Sequence, residues 1–385
     1  MSAAAADLVG LAPSGILAVT RAAFARPGTA LLCFGESDQA APPAAAAAAR
    51  AALDRGDALY PDVRGVQALR HALAEYLTGL HARPVAEDRV QVTASGMAAV
   101  SVALQSIVRA GDRVVLHAPA WPNVENACRL RGATVEHLVL DALPSGRFRM
   151  DLDRLSTLLR GARAFVLNSP NNPTGWTATR EELQAILDLC RKEGTWLVSD
   201  EVYSRLVYDG SASAPSVLDV AGLDDRVMVC NSFSKTWAMT GWRLGWIVVP
   251  DGARPAVSEV VEATHSGTAP FAQAGALAAV ADTGFVRRFR DHCAEGRRVA
   301  MEGLAGLNGI RVAAPDAAFY LFIGVDGLTD SMGLALRLVE ERGVALAPGS
   351  AFGPGGEGHL RLCFAHAPAA MERAMGKLRA GLQAR

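Results

Sequence analysis

Between residues 90 and 250 short runs of Val, Leu and Ile recur along the chain, separated by longer amphipathic patterns. A continuous apolar run marks a strand buried on both faces, and alternation of such strands with helices predicts a parallel sheet covered on both sides. The fold class is therefore α/β, with strands expected at residues 90–93, 113–117, 164–167, 195–199, 227–230 and 244–249. From about residue 290 the pattern changes. Helical stretches at DHCAEGRRVAMEGL and GLALRLVEERG separate short strands at AAFYLFIGV, GVALAPG and HLRLCFA, which predicts a smaller α+β domain. The alanine-rich run 44–52 has helix propensity and none of the Gly/Ser content of a linker. The expected organisation is an arm over residues 1–40 whose short strand, TALLCFG, joins the small domain, a large domain over 41–285, and a small domain over 286–385.

A length of 385 residues suits two unequal domains. Half the residues are hydrophobic, a fifth are charged, and the net charge is −1, with basic residues spread along the chain; nucleic acid is not an expected partner. The six cysteines, Cys33, Cys128, Cys190, Cys230, Cys293 and Cys363, form no CxxC pair and no metal-ligand spacing, so no metal site and a reducing compartment are expected. The N-terminus MSAAAADLVG lacks a basic start before an apolar stretch, and no run approaches the roughly 18 apolar residues of a membrane span. The cytoplasm, with no membrane partner, is the expected location.

One compositional bias singles out a residue. Of 38 basic side chains only Lys192, Lys235 and Lys377 are lysine, so arginine serves wherever charge alone suffices. Lys192 and Lys377 lie in amphipathic stretches and read as solvated. Lys235, in SFSKTWAMTGW, is surrounded by small, hydroxyl and aromatic residues. A guanidinium stays protonated and is a poor nucleophile, whereas an amine can form an imine, so this position has a chemical motive for lysine.

Most expected strands end in polar or glycine-bearing segments: TASGM, APAWPN, NSPNNPTG, SDEVY and NSFSK. In open α/β sheets ligands bind beyond the carboxyl ends of strands, so these segments converge on one site. In SDEVY, one helical turn would put Asp200 and Tyr203 on one face, where a carboxylate keeps a pyridine nitrogen protonated and a phenol bonds a ring oxygen; a helix cap and a packed tyrosine fit equally well. Asn172 lies in a pre-shaped Asn-Pro turn and can donate to a cofactor oxygen. Ser95, Gly96 and Met97 open a helix whose first amides can bind phosphate, or form a plain cap. Ser232 and Arg243 either complete a phosphate cup or are a turn hydroxyl and a surface charge. Trp121 suits a stacking indole or a core position. Arg361, on an otherwise apolar strand, suits a carboxylate or solvent.

Together these segments resemble the class I/II aminotransferase family of fold-type I pyridoxal-phosphate (PLP) enzymes, from FGESD to RLCFA and most specifically in SPNNPTG, SDEVY and SFSKTWAMTGWRLGW. The resemblance implies a cofactor, pyridoxal 5'-phosphate, held as a Schiff base on Lys235, which also shuttles the Cα proton. It implies Asp200 at the pyridinium, Tyr203 and Asn172 at the phenolic oxygen, and Trp121 on the ring. Ser95, Gly96, Met97, Ser232, Ser234 and Arg243 fall at the phosphate, Arg361 at the substrate α-carboxylate, and Gly35 against the substrate. Tyr60, in LYPDVRG, matches a tyrosine that reaches the neighbouring subunit's phosphate, which implies a homodimer. The implied reaction moves an amino group from an amino acid to a 2-keto acid by a ping-pong sequence.

The sequence departs from the family where the second carboxylate of dicarboxylic substrates is bound. One subgroup of aspartate aminotransferases has lysine at the Met97 position, and another borrows a partner's arginine from a segment that here reads THSGTAPFAQ. A buried carboxylate without a cation costs several kcal/mol, so an uncharged or aromatic donor is expected, with His265 as a partial substitute cation. PDAAFYLF also carries alanine where the family usually has glycine. A PLP lyase or decarboxylase would use the same constellation; a non-catalytic PLP-sensing regulator would need a DNA-binding segment, for which the arm before Gly35 is too short.

Overall fold

The computed structural model describes residues 11, 13–81 and 83–383; MSAAAADLVG, the start of the expected arm, lies outside the described residues. Seven strands make the large sheet: β1 (Val90–Thr93), β2 (Arg113–Ala118), β3 (Thr134–Val139), β4 (Ala164–Asn168), β5 (Trp196–Asp200), β6 (Val227–Ser232) and β7 (Gly245–Val248). Their order is β1-β7-β6-β5-β4-β2-β3. The pairings from β6 across to β3 are parallel, and β7 runs antiparallel to both its neighbours, β1 and β6.

The uninterrupted apolar runs follow from this position. Successive side chains of a strand point to opposite faces, and both faces here are covered. Val114 and Leu116 of β2 enter one core with Val166, Val198 and Met228, while Val115 enters the other with Phe165, Leu197 and Val229. Each such side chain contributes about 1.5–3 kcal/mol relative to exposure. The crossover from β4 to β5 uses helix Arg180–Glu193, which starts at a Thr179–Glu182 capping box and stops where Gly194 takes a left-handed φ of 67°. Its Leu183, Ile186, Leu187 and Cys190 are buried at helical spacing.

Five of the six strands expected in this region form close to their expected bounds, four of them in parallel pairings and β1 paired only with β7. The sixth, at 244–249, forms as β7 but runs antiparallel. The strand β3 was not expected: TVEHLV is an edge strand whose side chains are mostly partly exposed, so it carries polar residues and lacks the apolar signature.

The smaller sheet contains β8 (Ile310–Arg311), β9 (Tyr320–Val325), β10 (Ala347–Pro348) and β11 (His359–Cys363), ordered β8-β9-β11-β10 and wholly antiparallel. GVALAPG, expected as one strand, divides between two pairings. Val344–Ala345 pairs in parallel with Ala30–Leu31 as a separate two-stranded sheet, and β10 joins β11. The alanine-rich run forms helix Pro43–Asp54. Helix Thr283–Leu304 runs unbroken through the position where the sequence pattern divides the two domains. All six cysteines are free and buried, and no helix among the described residues is long and apolar enough to cross a membrane.

Candidate active site

A cavity of about 400 Å³ opens at the carboxyl ends of the parallel strands, between the two sheets. It is lined by twelve of the fourteen residues singled out from sequence: Gly35, Gly96, Met97, Trp121, Asn172, Asp200, Tyr203, Ser232, Ser234, Lys235, Arg243 and Arg361. Ser95 is buried beside it as the cap of helix Gly96–Ile107, its hydroxyl accepting from Ala98 N at 2.9 Å. Tyr60 is 90% exposed and is not part of this cavity.

Lys235 follows β6 in a single helical turn, Phe233–Thr236, capped by Ser232. Its Nζ donates to the Gly35 carbonyl, and burial pulls the ammonium down to about 8. Asp200 is the last residue of β5. Its carboxyl is buried, receives Val202 N at 3.3 Å, and is pushed by burial up to about 7. The segment after Asp200 is a run of turns instead of the expected helical turn, with Ser204 N bonded to the Glu201 carbonyl and Leu206 N to that of Tyr203. Asp200 and Tyr203 nevertheless both face the cavity.

In the same cavity, beside Lys235, free amides, hydroxyls and a guanidinium come together. Ser95 takes φ 145°, a region L-residues rarely enter, and turns the chain into a helix whose Gly96 and Met97 amides have no intrahelical acceptor. Ser232 Oγ bonds Ser234 Oγ at 2.9 Å, and Arg243, at a left-handed φ of 54°, donates to the Thr240 carbonyl at 2.6 Å. These groups crowd together: a Cβ on Gly96 would lie 2.9 Å from Ser232 Cβ, and one on Gly245 would lie 2.6 Å from the Ser95 carbonyl carbon.

Arg361, on β11, is 2% exposed. One terminal nitrogen donates to Asn172 Oδ1 at 2.9 Å and the other to the Cys33 carbonyl, while Nε has no partner. Asn172 itself is held by its backbone N–H on Asn168 Oδ1 at 2.8 Å, and the Asn168 N–H donates to His117 Nε2 at 2.9 Å. His265 does not line the cavity. Its Nε2 faces Ala94 N at 3.4 Å and burial lowers its pKa, so it brings no positive charge to the site at neutral pH.

The structure adds residues that sequence reasoning missed. Glu36 lines the cavity, as do Ile16, Leu17 and Phe34 from the N-terminal segment and Tyr320 from β9. Tyr320 lies in the run FYLFIGV, where every position is apolar or aromatic and nothing marks one side chain as facing a site.

These groups fit PLP. A buried carboxyl with a single hydrogen bond suits a pyridinium N–H, the amides, hydroxyls and guanidinium around Gly96 suit a phosphate, and the nearby amine of lowered pKa suits an aldehyde carbon.

The family model for aminotransferase class I and II matches residues 29–378. The chain is 34% identical over 357 residues to an aspartate aminotransferase of Thermotoga maritima, covering 92% of this chain and 91% of that one. It is 32% identical over 336 residues to an arginine–pyruvate transaminase of Pseudomonas aeruginosa, covering 86% and 84%. A crystal structure of an aminotransferase from Mycobacterium tuberculosis superposes with a TM-score of 0.91 at 31% identity, covering 98% of this chain and all of that one. The chain belongs to the class I and II aminotransferases, the family whose members use pyridoxal 5'-phosphate.

Proposed function

We propose that this aminotransferase takes the amino group of an uncharged or aromatic amino acid, passes it to a 2-keto acid, and does so by a ping-pong sequence within a homodimer. The observation that carries the donor class is the charge of the cavity wall. Among the described residues its cations are Lys235, Arg243 and Arg361. Arg243 stands with the phosphate-binding groups, Lys235 is the reacting amine, and Arg361 takes the α-carboxylate, so no cation is left for a second carboxylate. The remaining wall, with Ile16, Leu17, Phe34, Met97 and Trp121, suits an apolar or aromatic side chain.

When bound, PLP supplies an aldehyde carbon that takes up the amino group and a ring that accepts the Cα electrons. Lys235 Nζ takes the proton from the substrate Cα; a pKa of about 8 keeps a useful fraction of the amine neutral near physiological pH. Asp200 holds a proton on the ring nitrogen. Asn172 Oδ1 is committed to Arg361, which leaves its amide nitrogen to donate to the ring oxygen beside Tyr203. Arg361 receives the α-carboxylate of donor and keto acid in turn, so the two exclude each other, and the amino group left behind with the bound cofactor between them is the basis of ping-pong kinetics. Exposed Leu59 and Tyr60, 84% and 90% accessible, suit a contact with a second copy in which Tyr60 reaches the partner's phosphate site.

A dicarboxylic donor is the second reading, favoured by the name of the Thermotoga maritima relative. A panel of amino donors against a common keto acid, with products identified, separates the two. Aspartate or glutamate as far the best donor would refute the proposed class, and release of CO2 or an alkene in place of a keto acid would refute transamination.

A further inference from the structure

Tyr320 touches three parts of the site at once. Its hydroxyl lies 2.7 Å from that of Tyr203, with the two rings edge to face at 5.5 Å. The Arg361 guanidinium carbon sits 4.5 Å from the centre of the Tyr320 ring. The same hydroxyl crowds Gly35, where a Cβ would come within 2.1 Å of it, and the Gly35 carbonyl accepts from Lys235. Both phenols are buried, and burial raises both pKa values, so each keeps its proton at neutral pH.

Two hydroxyls 2.7 Å apart hold one proton between them, and the other proton turns elsewhere. A guanidinium over the Tyr320 ring stabilises negative charge building on that phenol, which makes Tyr320 the stronger donor of the pair. With Tyr320 donating, the Tyr203 oxygen is an acceptor and its own proton is directed into the cavity. The reverse arrangement would tie up the Tyr203 proton inside the protein.

We propose that Tyr320 is a positioning residue for the transfer reaction: its hydroxyl fixes the direction of the Tyr203 proton, and its ring backs the carboxylate anchor Arg361. The proposal rests on Tyr203 being the donor to the ring oxygen of the cofactor. A donor to that oxygen stabilises its negative charge and lowers the pH at which the bound cofactor gives up its proton. A donor strengthened by a second phenol does so further, because linked hydrogen bonds polarise one another.

The test is the pH titration of the visible absorbance band of the PLP-loaded protein, for wild type, Tyr320→Phe and Tyr203→Phe. Tyr320→Phe keeps the ring and removes the hydroxyl. Its midpoint moves upward by on the order of 0.3–1 pH unit, in the same direction as Tyr203→Phe and by less, with KM for the amino donor unchanged. Tyr320→Leu also removes the ring beneath Arg361, and its KM rises several-fold. A midpoint unmoved in Tyr320→Phe but raised in Tyr203→Phe overturns the role of Tyr320 alone. A midpoint unmoved in both overturns the reading of Tyr203 and the proposal with it. Tyr320→Phe carries the test by itself should Tyr320→Leu fail to fold.

Discussion

Asp200→Asn separates the protein's stability from its chemistry and gives opposite signs with and without cofactor. In the cofactor-free fold the Asp200 carboxyl is buried with one hydrogen bond, from Val202 N, and its pKa rises from 3.8 to about 7. The folded state therefore binds a proton that the unfolded chain has lost between about pH 4 and pH 7. Stability falls as pH rises wherever the folded state binds more protons, so this group contributes a loss across that window and none beyond it. Above pH 7 the ionised carboxyl costs roughly 4 kcal/mol relative to a solvated aspartate. Asparagine has nearly the same shape and no charge to bury. Urea unfolding of the cofactor-free proteins from pH 4 to pH 8 should show Asp200→Asn gaining on wild type as pH rises, by up to roughly 4 kcal/mol, with a constant difference above pH 7. Loaded with PLP, the ranking reverses: a pyridinium beside the carboxylate offsets the burial, so the cofactor stabilises wild type far more than the variant, whose turnover falls by orders of magnitude. Cofactor-free difference curves that stay flat from pH 4 to pH 8 would refute the buried, weakly bonded carboxyl. Equal stabilisation of both proteins by PLP would refute its place at the ring nitrogen.

Lys235→Ala should abolish both turnover and the visible absorbance of the loaded protein; a spectrum and activity that survive would remove this lysine from the reaction. Arg361→Lys keeps the charge but cannot reach both Asn172 Oδ1 and the Cys33 carbonyl while forking a carboxylate. KM for the amino donor should rise about 10–100-fold, as steady-state kinetics would register, from a loss of about 1–3 kcal/mol. Gly35→Ala drives a methyl into the Tyr320 hydroxyl; thermal unfolding should show a loss of about 1–3 kcal/mol, and a variant of wild-type stability and activity would mean the two chains do not approach as closely as described.

Strands buried on both faces were legible because burial itself dictates their composition: β4 and β6 are buried throughout and begin as apolar runs. The edge strand β3 was not, since Glu136 and His137 answer to solvent and to neighbours such as Arg113 and Glu125 and not to a core. The antiparallel direction of β7 is equally invisible in composition, because both directions bury a strand alike. At the site, residues on strand-end turns stood out by unusual polarity. Tyr320 did not, as it sits inside an aromatic run. Ser95 combined two roles, cap and chain-bender, and only its φ separates them. Tyr60 belongs to a surface, so its role depends on a second copy of the chain.

The antiparallel strand β7 also has a bearing on when the cofactor site comes into being. Gly96, after β1, and Ser232, after β6, are more than 130 residues apart, and β7 is the strand that joins β1 to β6. Until Gly245 closes against Ser95, the amides on one side and the hydroxyls on the other belong to separate sheet edges, and Arg243 arrives only with β7 itself. If these groups hold the phosphate as proposed, loosening β7 from its two neighbours would open the cradle on both sides at once.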